Sequence, residues 1–278
     1  MSTTVTITAQ QVNELRKLTG AGIMDCKKAL VEASGDIQEA INNLRKKGAK
    51  VASSRAEREA NEGVVIAKTT EDAKKGVAIM LNCETDFVAN NSDYLTLANA
   101  ILEAALSSDA ATVSEVLALH IGSQSIEELI IEKIGVIGEK LELAKFGVVK
   151  AEKVAVYIHG NRKASLVGFN SADITSEISK DVAMHIVAMN PIVVDKDNVD
   201  TTTLERELEI GREQARTEGK AEDMIEKIAQ GKLNRFYKDS TLLNQEYMND
   251  DKKTVGQFLT SIAPSLTVTE FYNFSLAK

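Results

Sequence analysis

Val154-Ala155-Val156-Tyr157-Ile158-His159-Gly160-Asn161-Arg162-Lys163-Ala164-Ser165-Leu166-Val167-Gly168-Phe169 reads as two strands joined by a tight turn. Val154, Val156 and Ile158 fall on one face, and Ala155, Tyr157 and His159 on the other, which is the period of two of a pleated strand. Gly160-Asn161 suits a short hairpin turn. A helix is predicted to follow from about Thr175 to Met189, stopped by Asn190-Pro191.

The same order occurs earlier in the chain. Val64 to Lys68 and Val77 to Cys83 read as strands, and a helix from about Ser92 to Leu106 follows them. Two strand-strand-helix units imply an α+β fold whose core is two related subdomains, each an antiparallel sheet with helices on one face. Ser125-Ile126-Glu127-Glu128 is a capping box in a helical stretch between them.

Upstream, Thr8-Ala9-Gln10-Gln11 is a second capping box, followed by Val12, Leu15 and Leu18 at helical spacing. Gly20-Ala21-Gly22 breaks that helix. A second runs from about Met24 to Ala33. Asp36 can cap a third, with Ile37, Ala40, Ile41 and Leu44 in register and Gly48 at its end. Three short helices make a marginal core, which suits a docking module. The polar, basic stretch after it reads as a linker.

Downstream, Thr202-Thr203-Leu204-Glu205 reads as a cap, and Leu204, Leu208, Gly211 and Ala215 form a narrow stripe. Gly219 interrupts it, and Ala221, Ile225 and Ile228 carry on. Two helices with thin apolar seams predict an antiparallel hairpin, with self-association through it left open. A short helix at Val255 to Ile262 and a last strand from Leu266 to Phe274 complete the body. The domain map is therefore 1–50, three helices; 51–62, linker; 63–146 and 147–196, core; 197–238, helical hairpin or coiled coil; and 239–278, the return to the core.

A chain of 278 residues exceeds the usual single domain. Its formal net charge of -8 argues against nucleic acid as the direct partner. No apolar run approaches the roughly 18 residues that span a bilayer, so no membrane role is expected. Met1-Ser2-Thr3-Thr4-Val5 lacks the pattern of a signal peptide, and Cys26 and Cys83 are isolated in sequence. A cytoplasmic protein with reduced thiols is expected. Catalysis is hard to build: His120, His159 and His185 lack metal-ligand spacing. Gly135-Val136-Ile137-Gly138-Glu139-Lys140 only partly imitates a phosphate loop. The chain is expected not to be an enzyme and to need no cofactor or metal of its own.

Three further stretches carry a resemblance. Leu15-Arg16-Lys17-Leu18-Thr19-Gly20-Ala21-Gly22-Ile23-Met24-Asp25-Cys26-Lys27-Lys28-Ala29-Leu30, Thr85-Asp86-Phe87-Val88-Ala89 and Lys133 to Lys140 are similar to the elongation factor Ts family, and the likeness runs nearly end to end. The resemblance implies a ubiquitin-associated-like N-terminal domain, and a translation factor that exchanges guanine nucleotide on the GTPase elongation factor Tu. It assigns partner contacts to Arg16, Ile23 and Met24. It assigns the disturbance of the partner's Mg²⁺ and phosphate site to Thr85, Asp86, Phe87 and Val88, with further contacts at Ile137, Gly138 and His159. Glu84 stands where Gln is common in the family, and Ile23 where many members have Met.

Each stretch also has a plainer reading. Ile23 and Met24 fit a core. Thr85 fits a helix cap with Phe87 buried behind it. His159 fits a polar hairpin end, and His185 reads as structural. The alternative function is an interaction adaptor working through the N-terminal helices.

Overall fold

The computed structural model describes residues 6–276; the Met1–Val5 stretch read above for a leader lies outside them. The described chain divides into two compact units, one of residues 6–65 and 79–146 with Leu276, the other of residues 66–78 and 147–275.

In the first unit Thr8 and Gln11 form the expected capping box at the start of α1 (Ala9–Thr19). Gly20 ends that helix at φ 69°, a left-handed conformation glycine adopts freely. α2 (Ile23–Glu32) and α3 (Ile37–Arg55) follow, with Asp36 capping α3. Val12, Leu15, Cys26, Ala29, Leu30 and Ala40 share one small core. β1 (Glu62–Thr69) and β2 (Lys75–Cys83) come next, then the single turn α4 (Asp86–Ala89) and the helix α5 (Ser92–Leu106). Tyr94 on α5 is fully buried and donates its hydroxyl to Leu81 O on β2. α6 (Val113–Ala118), β3 (His120–Ile121), β4 (Gln124–Ser125) and α7 (Ile126–Ile137) follow, with the capping box of Ser125 and Glu128 in place.

β5 (Leu141–Lys150) then completes a three-stranded sheet in the order β1-β2-β5. This strand was not foreseen, although Leu141, Leu143, Gly147 and Val149 are its buried positions and keep one parity.

One expectation for the N-terminal part is corrected. Gly48 does not end α3, which continues to Arg55. The reason is tertiary. A Cβ on Gly135 of α7 would stand 2.6 Å from Gly48 Cα, so the two helices touch backbone to backbone where each lacks a side chain. Gly48 is kept for close approach, and packing on α7 overrides its low helix propensity.

The second unit contains β6 (Lys153–His159) and β7 (Lys163–Phe169), antiparallel with Tyr157 opposite Ser165. Gly160 and Asn161, at φ 56° and 55°, turn the chain in the three-residue loop between His159 and its partner Lys163. α8 (Ser176–Met189) covers the sheet, and Ala155, Val167, Phe169, Val182, Ala183 and Ile186 share a core. α9 (Thr201–Thr217) and α10 (Glu222–Ser240) form the helical hairpin, pressed together where Gly211 meets Ala229. The cap proposed at Thr202 is corrected: Asp200 caps α9, accepting from both the amide and the hydroxyl of Thr203. β8 (Glu246–Tyr247), β9 (Asp250–Thr254), α11 (Val255–Ile262) and β10 (Val268–Ser275) finish the unit. β10 pairs antiparallel with β7, giving the order β10-β7-β6.

His185 is structural, as its plainer reading held. It is buried on α8; Met248 N–H donates to Nδ1 at 3.3 Å, which leaves the ring proton on Nε2, 3.0 Å from Gln245 Oε1. Gln245 in turn donates to Met189 O and Asp239 O. Burial holds the imidazole below its ordinary pKa, against the opposing pull of the Gln245 bond.

Two predictions follow from this packing. Gly135→Ala should destabilise the protein by about 1–3 kcal/mol through backbone overpacking. Gly231→Ala, on α10 with open space around it, should stabilise by about 0.5–1 kcal/mol; denaturant midpoints compare the two. The neutral native His185 also sets a pH dependence. The unfolded imidazole binds a proton near its ordinary pKa of 6.5, so the unfolded state takes up more protons just below that pH. Stability present at about pH 7.5 is therefore lost as pH falls through about 6.5. His185→Gln should melt lower throughout, yet show a flatter slope across that window.

Candidate partner-docking site

β2 ends at Cys83, and Thr85 caps the four-residue α4 with its hydroxyl, which accepts from Val88 N. Phe87 is the second residue of that turn, and it is 85% exposed. The capping role of Thr85 therefore holds, while the idea of a Phe buried behind the cap does not. Asp86 is exposed beside Phe87, and Val88 is half-buried. A single turn is too short to hold its own geometry, because nucleating a helix costs more than one hydrogen bond returns. Its orientation must come from neighbours.

Those neighbours lie at the end of α7. Gly138 closes that helix at φ 81°, its amide bonded to Ile134 O. The left-handed turn brings Glu139 across to Thr85. One carboxylate oxygen of Glu139 accepts from Thr85 N at 3.0 Å, and the other accepts from Thr85 Oγ1 at 2.7 Å. The exchange is reciprocal: Glu84 Oε1 accepts from Lys140 N at 2.7 Å. Two adjacent residues on each segment thus trade a carboxylate for a backbone amide. Ile137 and Gly138, half-buried, sit at the root of this turn.

Glu84 also receives Arg55 from the last turn of α3 at 2.8 Å, and Arg58 just beyond it at 3.2 Å. Burial would raise the Glu84 carboxyl, but the Lys140 amide and the two guanidinium groups outweigh it and hold it below its ordinary value. Beneath the turn, the Cys83 thiol donates to Thr85 O. Burial pushes that thiol up to about 11, so it remains a protonated donor.

The N-terminal candidates are also outward. Met24 is 74% and Ile23 51% exposed at the start of α2, and Arg16 is exposed on α1. A core role for Ile23 and Met24 is excluded; the core positions are Cys26, Ala29 and Leu30, on another side of the same helix. His159 belongs to the second unit. It is exposed at the end of β6, opposite Lys163, with Nδ1 3.2 Å from Tyr157 Oη. Glu139, Arg55 and Arg58 were not singled out in the sequence, and Glu84 only as a departure from the family's Gln. The only local signal was that Glu139 follows a helix-ending glycine within a quoted motif; the arginines read as linker charge.

Among the described residues no group of three His, Cys, Asp or Glu side chains is placed to hold a metal ion. Nor is any described helix long and apolar enough to cross a membrane.

The family profile described as Elongation factor TS matches residues 84–278. The elongation factor Ts of Christiangramia forsetii is 47% identical over 272 residues, covering 97% of this chain and 98% of that one. That of Amoebophilus asiaticus is 49% identical over 268 residues, covering 95% and 97%. That of Cytophaga hutchinsonii is 47% identical over 277 residues, covering 98% and 99%. These likenesses place the α+β chain among the translation elongation factors. Within that class, it belongs to the elongation factor Ts family.

Exposure separates the two aromatic residues of this region. Phe87→Ala should change unfolding free energy by no more than about 0.5 kcal/mol, the level of an ordinary surface substitution. Tyr94→Ala, seven positions later and fully buried, should cost about 3–5 kcal/mol. Denaturant titration of both variants checks the contrast.

Proposed function

We propose that this chain binds the GTPase elongation factor Tu and accelerates GDP release, with Phe87 as the inserted group. The observation that carries the reading is a large apolar side chain held almost wholly in water on a turn with four external anchors. A free surface Phe gains nothing from such restraint. A Phe that must enter a partner's cleft gains from having its approach fixed beforehand, because less conformational entropy is lost on binding.

Binding and release are linked. A factor that favours the nucleotide-free GTPase must weaken nucleotide by the same ratio, and a hundredfold weakening is about 2.7 kcal/mol. Fully burying one Phe supplies about 1.5–3 kcal/mol, so a single wedge is of the right size. Thr85 and Val88 frame the turn. Asp86 brings a negative charge beside the wedge, suited to disturbing the partner's metal and phosphates. Ile137 and Gly138 line the adjacent turn. Arg16, Ile23 and Met24 supply docking area from the N-terminal helices, and His159 supplies a contact from the second unit. In this reading the chain makes and breaks no covalent bond, and the Mg²⁺ concerned belongs to the partner.

The test is release of a fluorescent GDP analogue from elongation factor Tu across a concentration series of the chain. Phe87→Ala should lower the maximal stimulated rate at least tenfold, about 1.4 kcal/mol of barrier, with the fold intact. Met24→Ser should instead raise the half-saturating concentration and leave the maximal rate near its original value. Unchanged release with Phe87→Ala would remove the wedge. Stable binding without any acceleration by the original chain would leave an adaptor.

A further inference from the structure

Two rigid elements converge on the turn that carries Phe87. α3 has 19 residues, about 28 Å of helix, and shares a core with the α2 segment that exposes Ile23 and Met24. Its far end delivers Arg55, and the residues just beyond deliver Arg58, both to Glu84. α7 touches α3 at the Gly48–Gly135 approach and delivers Glu139 to Thr85. The carboxylates of Glu84 and Glu139 each bond to a backbone amide of the opposite segment. Thr85 is held at every polar atom on the wedge side: its amide and hydroxyl donate to Glu139, its hydroxyl accepts from Val88 N, and its carbonyl accepts from the Cys83 thiol.

We propose that Glu139 and Glu84 are positioning residues which, as a reciprocal clamp, set the angle at which Phe87 is presented, and that Arg55 and Arg58 tie that angle to the N-terminal helices. The inference rests on the wedge role given to Phe87 above. Neither carboxylate needs to touch the partner. Each acts through Thr85 or Lys140, and loss of either leaves Phe87 exposed on a turn free to reorient. Loss of Glu139 frees two donors of Thr85, so the cap loosens while the cores of both units keep their contacts.

The test uses full-length variants in the GDP-release assay, reading maximal rate and half-saturating concentration separately. Glu139→Ala should lower the maximal rate at least fivefold with half-saturation changed less than twofold. Glu139→Gln, which can still accept one hydrogen bond, should fall between it and the original chain. Thr85→Val, which removes the hydroxyl that bonds Glu139 and caps the turn, should lower the maximal rate in the same way. The decisive variant is Phe87→Ala combined with Glu139→Ala. If Glu139 acts through Phe87, the double variant is no slower than Phe87→Ala alone. Arg55→Ala with Arg58→Ala should likewise lower the maximal rate, and the loss should vanish in the Phe87→Ala background.

Full additivity of Glu139→Ala and Phe87→Ala, or normal release by Glu139→Ala while Phe87→Ala is slow, overturns the clamp and leaves the wedge standing. Normal release by Phe87→Ala overturns both. A misfolded Glu139→Ala does not end the matter, because Glu139→Gln and Thr85→Val preserve volume and carry the same ordering.

Discussion

The approach of Gly48 to Gly135 is a contact made without side chains, and much of the first unit is arranged by it. Two helices meeting through ordinary residues keep their axes about 8–10 Å apart. Where both present glycine, the backbones close until Cα faces Cα, and a Cβ on Gly135 would lie 2.6 Å from Gly48. α3 is therefore held along α7 rather than released at Gly48. Because α3 continues, Arg55 and Arg58 reach Glu84. Because α7 is held at the same crossing, its left-handed exit at Gly138 aims Glu139 at Thr85. Moving α3 outward by the width of a methyl group would carry Arg55 out of hydrogen-bond range of Glu84, and moving α7 would do the same to Glu139 and Thr85.

That arrangement explains how a large apolar group is kept in water without being lost to the protein's own core. Ala89 is the buried residue of that turn, and Tyr94 on α5 is buried with its hydroxyl bonded to Leu81 O. Rotating the turn inward would leave the Thr85 donors without Glu139. Burying a donor without a partner costs about 1–3 kcal/mol, comparable to what the Phe would gain by burial. The polar clamp thus opposes the collapse of Phe87 onto the protein's own core.

Much of this architecture was legible in local patterns. The tight turn at Gly160-Asn161, the boxes at Thr8 and Ser125, the Asp36 cap, the α8 stop at Asn190 and the paired helices around Gly219 each follow from a few adjacent residues. What was missed depended on distant ones. Gly48 read as a terminator because its partner, Gly135, lies 87 positions away. β5 was absorbed into a helical stretch, although Leu141 and Leu143 show strand parity, because the preceding helix set the expectation. Asp200 displaced Thr202 as the cap because a carboxylate two residues earlier could satisfy both donors of Thr203. At the site, the sequence pointed to Thr85 through Val88 only by likeness. Exposure of Phe87 is a tertiary outcome, and no periodicity in a four-residue turn could give it. Glu84 and Arg55 stand 29 positions apart, so their pairing had no local signature.

The basic stretch after α2 shows how structure reassigns a charge run. In sequence, the stretch from Lys46 to Arg58 is locally basic and reads as a linker. In the fold, Arg45 faces Glu132, Lys46 faces Glu39, Lys47 meets Asp25, and Arg55 and Arg58 share Glu84. A phosphate backbone would have to compete with a carboxylate for each of these cations, and the competition is steepest at Glu84, whose own side chain is mostly buried. A Lys or Arg that pairs with a phosphate gains by displacing the cations condensed on the polyanion, but each of these would first have to give up its carboxylate partner. Those carboxylates are covalently part of the fold. The two pairs on Glu84 also fix the end of α3 to the Phe87 turn, and Arg45 with Glu132 ties α3 to α7, so the charges of this run serve the geometry of the fold.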